Sequence, residues 1–378
     1  MNRKVFCIVA KILRNAHAHH KQQSVVLHLK WEGKAVPKKN TIDVIIGSYG
    51  TKEASTIHWL TFDITNGMFH EVMAIDGLEN PSFLTLNKDL TRLYAISEVE
   101  EGKVHSFRVN HQSKSIQLLN TKPTYGAPCY VMVDSDEQYV FSANYGGGSI
   151  VTHHLQNDGS LGRSADCKVH GNMQSNVSNI HTIRQVRDTN YYIATDLGQD
   201  RLYVYIQSDN GSMKLHRTIE MPSGSGPRHI DFHPALNRMY VVSEFHWRVY
   251  TFQYDHDWNH IDCIQSTPTL PDNFKGDNYG ADIHVTSQGD FLFTSNRGHH
   301  SLTSFRIKKD GTIEPLAYTP TLGEWPRNFA ILPNSPYIIV ANEHTNNIVG
   351  MVMKENGNLE QVTLPYTIQQ PVCIQTLK

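Results

Sequence analysis

At 378 residues, 39% hydrophobic and 19% charged, the chain has an ordinary globular composition, and no segment approaches the ~20 apolar residues of a membrane-spanning helix. Residues 1–40 hold nine Lys/Arg against Glu32 alone, a net of +8, so a chain totalling −2 carries −10 elsewhere, which argues against nucleic acid as a partner. Five cysteines (Cys7, Cys129, Cys167, Cys263, Cys373), odd in number and without zinc-type spacing, exclude a simple disulfide framework and fit a reducing, cytoplasmic setting.

The basic segment 1–40 reads as a loosely ordered extension, followed by a single domain over 41–378. Its apolar run, Val5 to Ala10, is interrupted by Lys11 and is too short for a secretory signal core. A mitochondrial-type presequence and an early start of the reading frame are alternative readings. The best helix signal in the chain, Phe6 to Ala16, lies here.

From residue 44 onward the pattern is strand-like and repetitive. A β-prone run ending in a polar residue recurs as Ile45–Tyr49, Tyr94–Glu98, Val140–Asn144, Tyr192–Asp196, Tyr240–Glu244, Leu292–Asn296 and Ile338–Asn342. Successive ends are 49, 46, 52, 48, 52 and 46 residues apart, and a period near fifty built from strands predicts a β-propeller with one blade per repeat. About sixteen to eighteen residues ahead runs a second phrase: Pro81–Leu84, Pro128–Val131, Ser178–His181, Pro227–Ile230, Gly280–Ile283, Pro326–Phe329 and Pro371–Ile374. The first phrase begins unpartnered and the second ends unpartnered. The chain is therefore expected to be all-β, a seven-bladed propeller with one blade shared by both chain ends and no free sheet edge. Asn157-Asp158-Gly159, Asp209-Asn210-Gly211, Asp310-Gly311 and Glu355-Asn356-Gly357 are hairpin turns between strands.

The polar ends of these phrases should crowd together near the axis: Tyr49, Glu98, Asn144, Asp196, Glu244, Asn296 and Asn342, with Arg228, His229, His181, His284, Arg297, His299 and Arg327 beside them. Charges converging in this way are costly unless paired or solvated, so they mark a site. The plainer reading is that Asp, Asn and His tie blades together; Asn144 and Asp196 look like turn-stabilising residues of this kind. Arginine suits carboxylate or phosphate oxygens better than structural duty, and Arg228, Arg297 and Arg327 are read as ligand contacts. The 22 histidines form no set with metal-ligand spacing, and no Gly-x-Ser-x-Gly elbow occurs, so neither a metal, a cofactor nor a serine nucleophile is expected.

The run Gly224-Ser225-Gly226-Pro227-Arg228-His229, with Phe232-His233-Pro234 and Tyr240–Glu244, resembles the seven-bladed lactonase family, which includes propeller-type 6-phosphogluconolactonases and fungal carboxy-muconate lactonizing enzymes. Asn144-Tyr145, Asp196–Asp200, Asn296–His299, Gly323–Arg327, Ala341-Asn342 and Pro371–Cys373 extend the match over Ile45 to Ile374. The resemblance implies a cleft with catalytic His181, Arg228, Glu244 and Arg297, and substrate contacts from His229, Arg327, Asn296, Glu98 and Asn144. It implies metal-independent hydrolysis of a small anionic lactone, 6-phosphogluconolactone, within the pentose phosphate pathway; the oligomeric state is left open between monomer and dimer. Glu244 or His181 would be the base, and an adjacent arginine weakens a glutamate in that role. Two departures stand out: Asn179 replaces the first histidine of the family's Pro-His-x-His, and Phe245-His246-Trp247 follows Glu244 where short residues are usual. A carboxy-muconate cycloisomerase and a non-catalytic binding propeller are the alternative functions.

Overall fold

The computed structural model describes residues 41–170 and 178–377; the expected extension over 1–40, with its helix signal, lies outside them. Among the described residues there is no helix, and none long and apolar enough to cross a membrane.

Seven antiparallel sheets are arranged as blades. The innermost strands are Pro371–Leu377, Leu84–Leu86, Ala127–Val133, Ile180–Gln185, Pro227–Phe232, Tyr279–Val285 and Pro326–Ile331, taken here as the first to seventh blades. Each is followed outward by three further strands, with a short extra strand, Tyr366–Thr367, in the seventh. The second phrase of the repeat is thus the innermost strand, and the first phrase is its neighbour. In the first blade Thr41–Ser48 pairs with Pro371–Leu377, Ile46 opposite Ile374 and Gly47 opposite Cys373, so both ends of the repeat region share one sheet.

Burial follows position in the blade. Second strands lie between two neighbouring sheets and are buried on both faces: every residue of Phe291–Arg297 is buried, whereas the outermost Met213–Glu220 is mostly exposed. The apolar core divides into seven clusters, one at each blade interface, including the interface of the seventh blade with the first. At about 25 cal/mol per Å² of apolar surface, these interfaces supply the main force closing the ring. Tyrosines add a recurring latch. Tyr94 and Tyr240 donate through their hydroxyls to the Gly159 and Gly311 carbonyls, at 3.0 and 2.8 Å, in the hairpins of the next blade. Both glycines have positive φ, +80° and +84°, as the turns require.

The feature that builds the site is a register break. In the first and the third to seventh blades the innermost strand bulges against its neighbour near its beginning. In the fourth to seventh the out-of-register residues are His181, Arg228 with His229, Ala281 with Asp282, and Arg327. A bulge bends the strand and re-aims its side chains. Four adjacent blades therefore present charged and imidazole groups at one mouth of the channel. At the opposite mouth lies a cavity of about 740 Å³, lined by Asp134, Arg184, His284 and Gln375 among others.

Candidate active site

Glu244 follows directly on the second strand of the fifth blade, Arg238–Ser243, and its carboxylate is claimed by two guanidinium groups. Arg297 Nη2 lies 2.7 Å and Arg228 Nε 3.1 Å from the same oxygen, Oε2. The arginine side chains are almost wholly buried, 2% and 5% exposed, against 15% for Glu244. Arg297 also donates to the Gly280 carbonyl at 3.0 Å, and Arg228 donates to the Ala281 carbonyl. Tyr279 and Trp325 flank the Arg297 guanidinium, with centroids 5.9 and 5.5 Å away, a cation–π arrangement that fixes its plane.

The electrostatics follow from two cations sharing one anion. Burial alone would raise the Glu244 carboxyl, but Arg297 and Arg228 outweigh it and hold it below the usual range. Burial, then Arg297 and Arg327, push Arg228 down to about 9, which leaves it charged at neutral pH. The Arg228–Glu244–Arg297 cluster therefore keeps one positive charge in surplus.

Arg327 completes the basic wall. Its guanidinium lies over the Tyr49 ring and 3.9 Å from Glu98, whose carboxylate accepts the Tyr49 hydroxyl at 2.9 Å. Burial disfavours its charge, but Tyr49, Glu98, Glu343 and Glu244 reverse this and raise its pKa.

Two imidazoles stand beside the arginines, ring centroids 5.1 Å apart. His181 packs edge-on to Tyr145; burial, followed by the charges of Arg228, His229, Arg327 and Arg297, drives it well below its ordinary value. His229 reaches Asp282 Oδ1 through Nδ1 at 2.7 Å, and its Nε2 lies 3.4 Å from an Arg228 nitrogen. Arg228, His229 and Arg327 line a small cavity together with Ser82, Cys129 and Asn328.

The fold thus brings His181, Arg228, His229, Glu244, Arg297, Arg327 and Glu98 to one mouth. Asn144 and Asn296, expected to contact substrate, stand behind it. Both are fully buried. Asn144 Nδ2 donates to the Thr124 carbonyl at 2.7 Å and to Ser149; Asn296 Nδ2 donates to the Thr269 carbonyl at 3.2 Å and to Ser301 and Thr303. Their amide N–H groups are spent on loop carbonyls and neighbouring hydroxyls, and with both residues fully buried they tie loops here instead of facing the mouth, unlike the expected substrate contact. His284 turns toward the opposite mouth, and His299 bonds Ser301.

These features are set within a recognisable scaffold. A family model described as lactonase, 7-bladed beta-propeller, matches residues 43–376. The chain belongs to this family. It is 30% identical to the 6-phosphogluconolactonase of Bacillus subtilis over 340 residues, 88% of this chain and 97% of the relative. A solved Lactobacillus plantarum structure superposes with a TM-score of 0.83 at 28% identity, covering 89% of this chain and all of that one. The periplasmic gluconolactonase of Pseudomonas aeruginosa shares the fold, with a TM-score of 0.84 at 23% identity over 89% of this chain and 99% of its own.

Within the lactonase scaffold the two sequence departures fall on the rim. Asn179 donates through Nδ2 to the Tyr145 carbonyl at 2.9 Å, and its own amide N–H bonds Asp196. Phe245 is 43% exposed and packs edge-on to Tyr279, while Trp247 donates its indole N–H to the Asn278 carbonyl. Sequence reasoning missed Asp282, the carboxylate behind His229. The signal was available: Asp282 takes the same place in the Gly280–Ile283 phrase that His229 and Asn328 take in theirs.

Proposed function

We propose that the protein hydrolyses a sugar lactone, and that its substrate is 6-phosphogluconolactone, opened to 6-phosphogluconate. The observation that carries this reading is the surplus guanidinium charge around Glu244 Oε2, at a channel mouth lined by neutral imidazoles. Water attacking a lactone carbonyl builds negative charge on the carbonyl oxygen. Fixed guanidinium donors in a buried site stabilise that charge without reorganising. Arg228 and Arg297 take this role, and Glu244 holds them in place. Glu244 is itself too firmly paired to be an effective base, so an imidazole of the cleft removes the proton from water. Arg327, a third cation further along the wall, suits the phosphate. The 6-phosphogluconolactonase name of the Bacillus subtilis relative supports the substrate, and the absence of zinc-type spacing supports hydrolysis without a metal. A cytoplasmic setting and a place in the pentose phosphate pathway belong to the same reading.

The test is initial-rate hydrolysis of 6-phosphogluconolactone, unphosphorylated gluconolactone and a carboxy-muconolactone by purified protein, each corrected for spontaneous opening. The phosphorylated lactone should be preferred, with the rate unchanged by chelator. Rates at background for all three would end the proposal, and preference for the muconolactone would move the substrate class.

A further inference from the structure

We infer that His229, held by Asp282, is the general base that activates water, in preference to His181. The inference rests on the lactonase reading above and assigns the proton transfer that it leaves open.

The two imidazoles differ in what stands behind them. His181 Nδ1 is fully buried with no hydrogen-bond partner, so nothing fixes its tautomer. His229 Nδ1 has Asp282 at 2.7 Å. Asp282 is itself buried and fully engaged. Its Oδ2 accepts from His284 Nε2 at 3.0 Å, Asn328 Nδ2 at 2.6 Å and the Phe329 amide at 3.3 Å, and its Oδ1 also accepts from the Ile283 amide at 3.0 Å. Burial would raise this carboxyl, but the charge of His284 and the bonds from both imidazoles hold it far below the carboxylate range. An ionised carboxylate only accepts hydrogen bonds. Neutral His229 must therefore carry its proton on Nδ1, which leaves the Nε2 lone pair accepting a long, 3.4 Å hydrogen bond from Arg228 Nη1 at the edge of the small cavity, a contact that water must displace when it gives up its proton.

Nucleophile activation calls for a base in the cleft, oriented from behind by an acceptor that also stabilises the imidazolium once formed. His229 meets both conditions. Burial, followed by the charge of Arg228, holds it at about 4, which keeps it unprotonated at neutral pH but makes it a weak base. The Asp282 carboxylate opposes both effects, and negative charge developing against Arg228 as water attacks offsets that cation and strengthens Nε2 as the proton moves. In the step itself, Nε2 takes a proton from water while the water oxygen bonds to the lactone carbonyl carbon. The carbonyl electron pair moves onto its oxygen, against Arg228 and Arg297. Collapse breaks the bond to the ring oxygen, which receives the proton back from Nε2 and leaves as the new hydroxyl. One water is consumed. Asp282 is a positioning residue throughout.

The wild-type enzyme is compared with His229→Asn, His229→Ala, Asp282→Asn and His181→Asn in steady-state hydrolysis of 6-phosphogluconolactone, with melting curves for each. His229→Asn keeps a donor near the Nδ1 position and removes Nε2, so kcat should fall roughly 100-fold or more while KM and melting change little. Asp282→Asn should lower kcat at least about tenfold by releasing the tautomer, and His181→Asn should act mainly on KM. Imidazole added to His229→Ala should restore part of the rate, which a structural role would not allow. In 15N-histidine NMR of the wild type, His229 should be the Nδ1–H tautomer, a readout independent of variants and activity. Retention of kcat in His229→Asn with its loss in His181→Asn, or an Nε2–H tautomer at His229, would overturn the inference while leaving the lactonase reading intact. A wild type inactive on every lactone would remove both.

Discussion

Arg327 of the seventh blade lies over the ring of Tyr49 of the first, its guanidinium carbon 5.4 Å from the ring centroid. Tyr49 directly follows the strand that pairs with the C-terminal strand Pro371–Leu377, so the contact that closes the ring also seats one of the site's cations. If Arg327 holds the phosphate, Arg327→Ala should lower kcat/KM for 6-phosphogluconolactone roughly 10–100-fold, about 1.4–2.8 kcal/mol, through KM. Unphosphorylated gluconolactone should be hydrolysed as by the wild type. Equal losses on both substrates would place Arg327 against the reacting ring instead.

Arg228 and Arg297 share one carboxylate oxygen, and this separates two kinds of damage. Arg228→Ala or Arg297→Ala removes an oxyanion donor and should lower kcat about 100–1000-fold, measured with the spontaneous rate subtracted. Glu244→Gln leaves two buried guanidinium groups facing each other without their anion. Breaking a buried pair in this way costs about 3–5 kcal/mol, so its denaturant midpoint should fall well below that of either arginine variant. Ordering of the three midpoints in the reverse direction would show that Glu244 is not what balances the arginines.

The blade count and the closure were legible because a strand repeat near fifty residues recurs with its turns, and because the two phrases fall out of step at the chain ends. His181, Arg228, Glu244 and Arg297 were legible as a group only with the family resemblance; the repeat alone places fourteen polar residues near the axis without ranking them. The asparagines show why. Asn144, Asn296 and Asn342 occupy equivalent strand ends with Glu98 and Glu244, yet each asparagine turns its amide inward to a loop carbonyl. A neutral amide with its N–H group bonded costs less to bury than a carboxylate, which needs a cation and is drawn to the arginines. Asp282 was missed because, besides His284 two residues along its own strand, its partners His229 and Asn328 come from the innermost strands of the blades on either side, a proximity the repeat alone does not reveal.

Gly280 begins the bulged segment of the sixth blade and supplies the carbonyl that holds Arg297. A Cβ placed there would meet the Ser243 carbonyl oxygen at 2.3 Å, a backbone atom with no freedom to retreat. Gly280→Ala should therefore push the fifth and sixth blades apart at the site, costing about 1–3 kcal/mol and lowering kcat along with stability. Thermal melting and activity should fall together. A fully stable and active Gly280→Ala protein would show that this close approach is not required.

Buried imidazoles should make the fold acid-labile. Burial, the leading cause in each case, holds His105, His153, His170 and His229 at about 4 and drives His181 well below its ordinary value. In the unfolded chain these groups titrate near 6.5, so between about pH 6.5 and 4 the unfolded state binds more protons and stability falls with pH. One group opposes this: Asp134 is raised by burial to about 6 and so favours the fold as pH falls through that range. His284 is raised, because Asp282 outweighs the effect of burial, so its contribution develops above pH 6.5 and is already complete there. Five groups against one leave about four protons taken up on unfolding, a slope of at most roughly 5 kcal/mol per pH unit near pH 5. Urea midpoints measured at pH 7.5, 6.0, 5.0 and 4.5 should decline, most steeply across the last two intervals. Replacing His153 with Gln removes one of these protons and should flatten the decline by about 1.4 kcal/mol per pH unit. A stability profile level from pH 7.5 to 4.5 would mean that the imidazoles are hydrated, and with them the mouth of the channel.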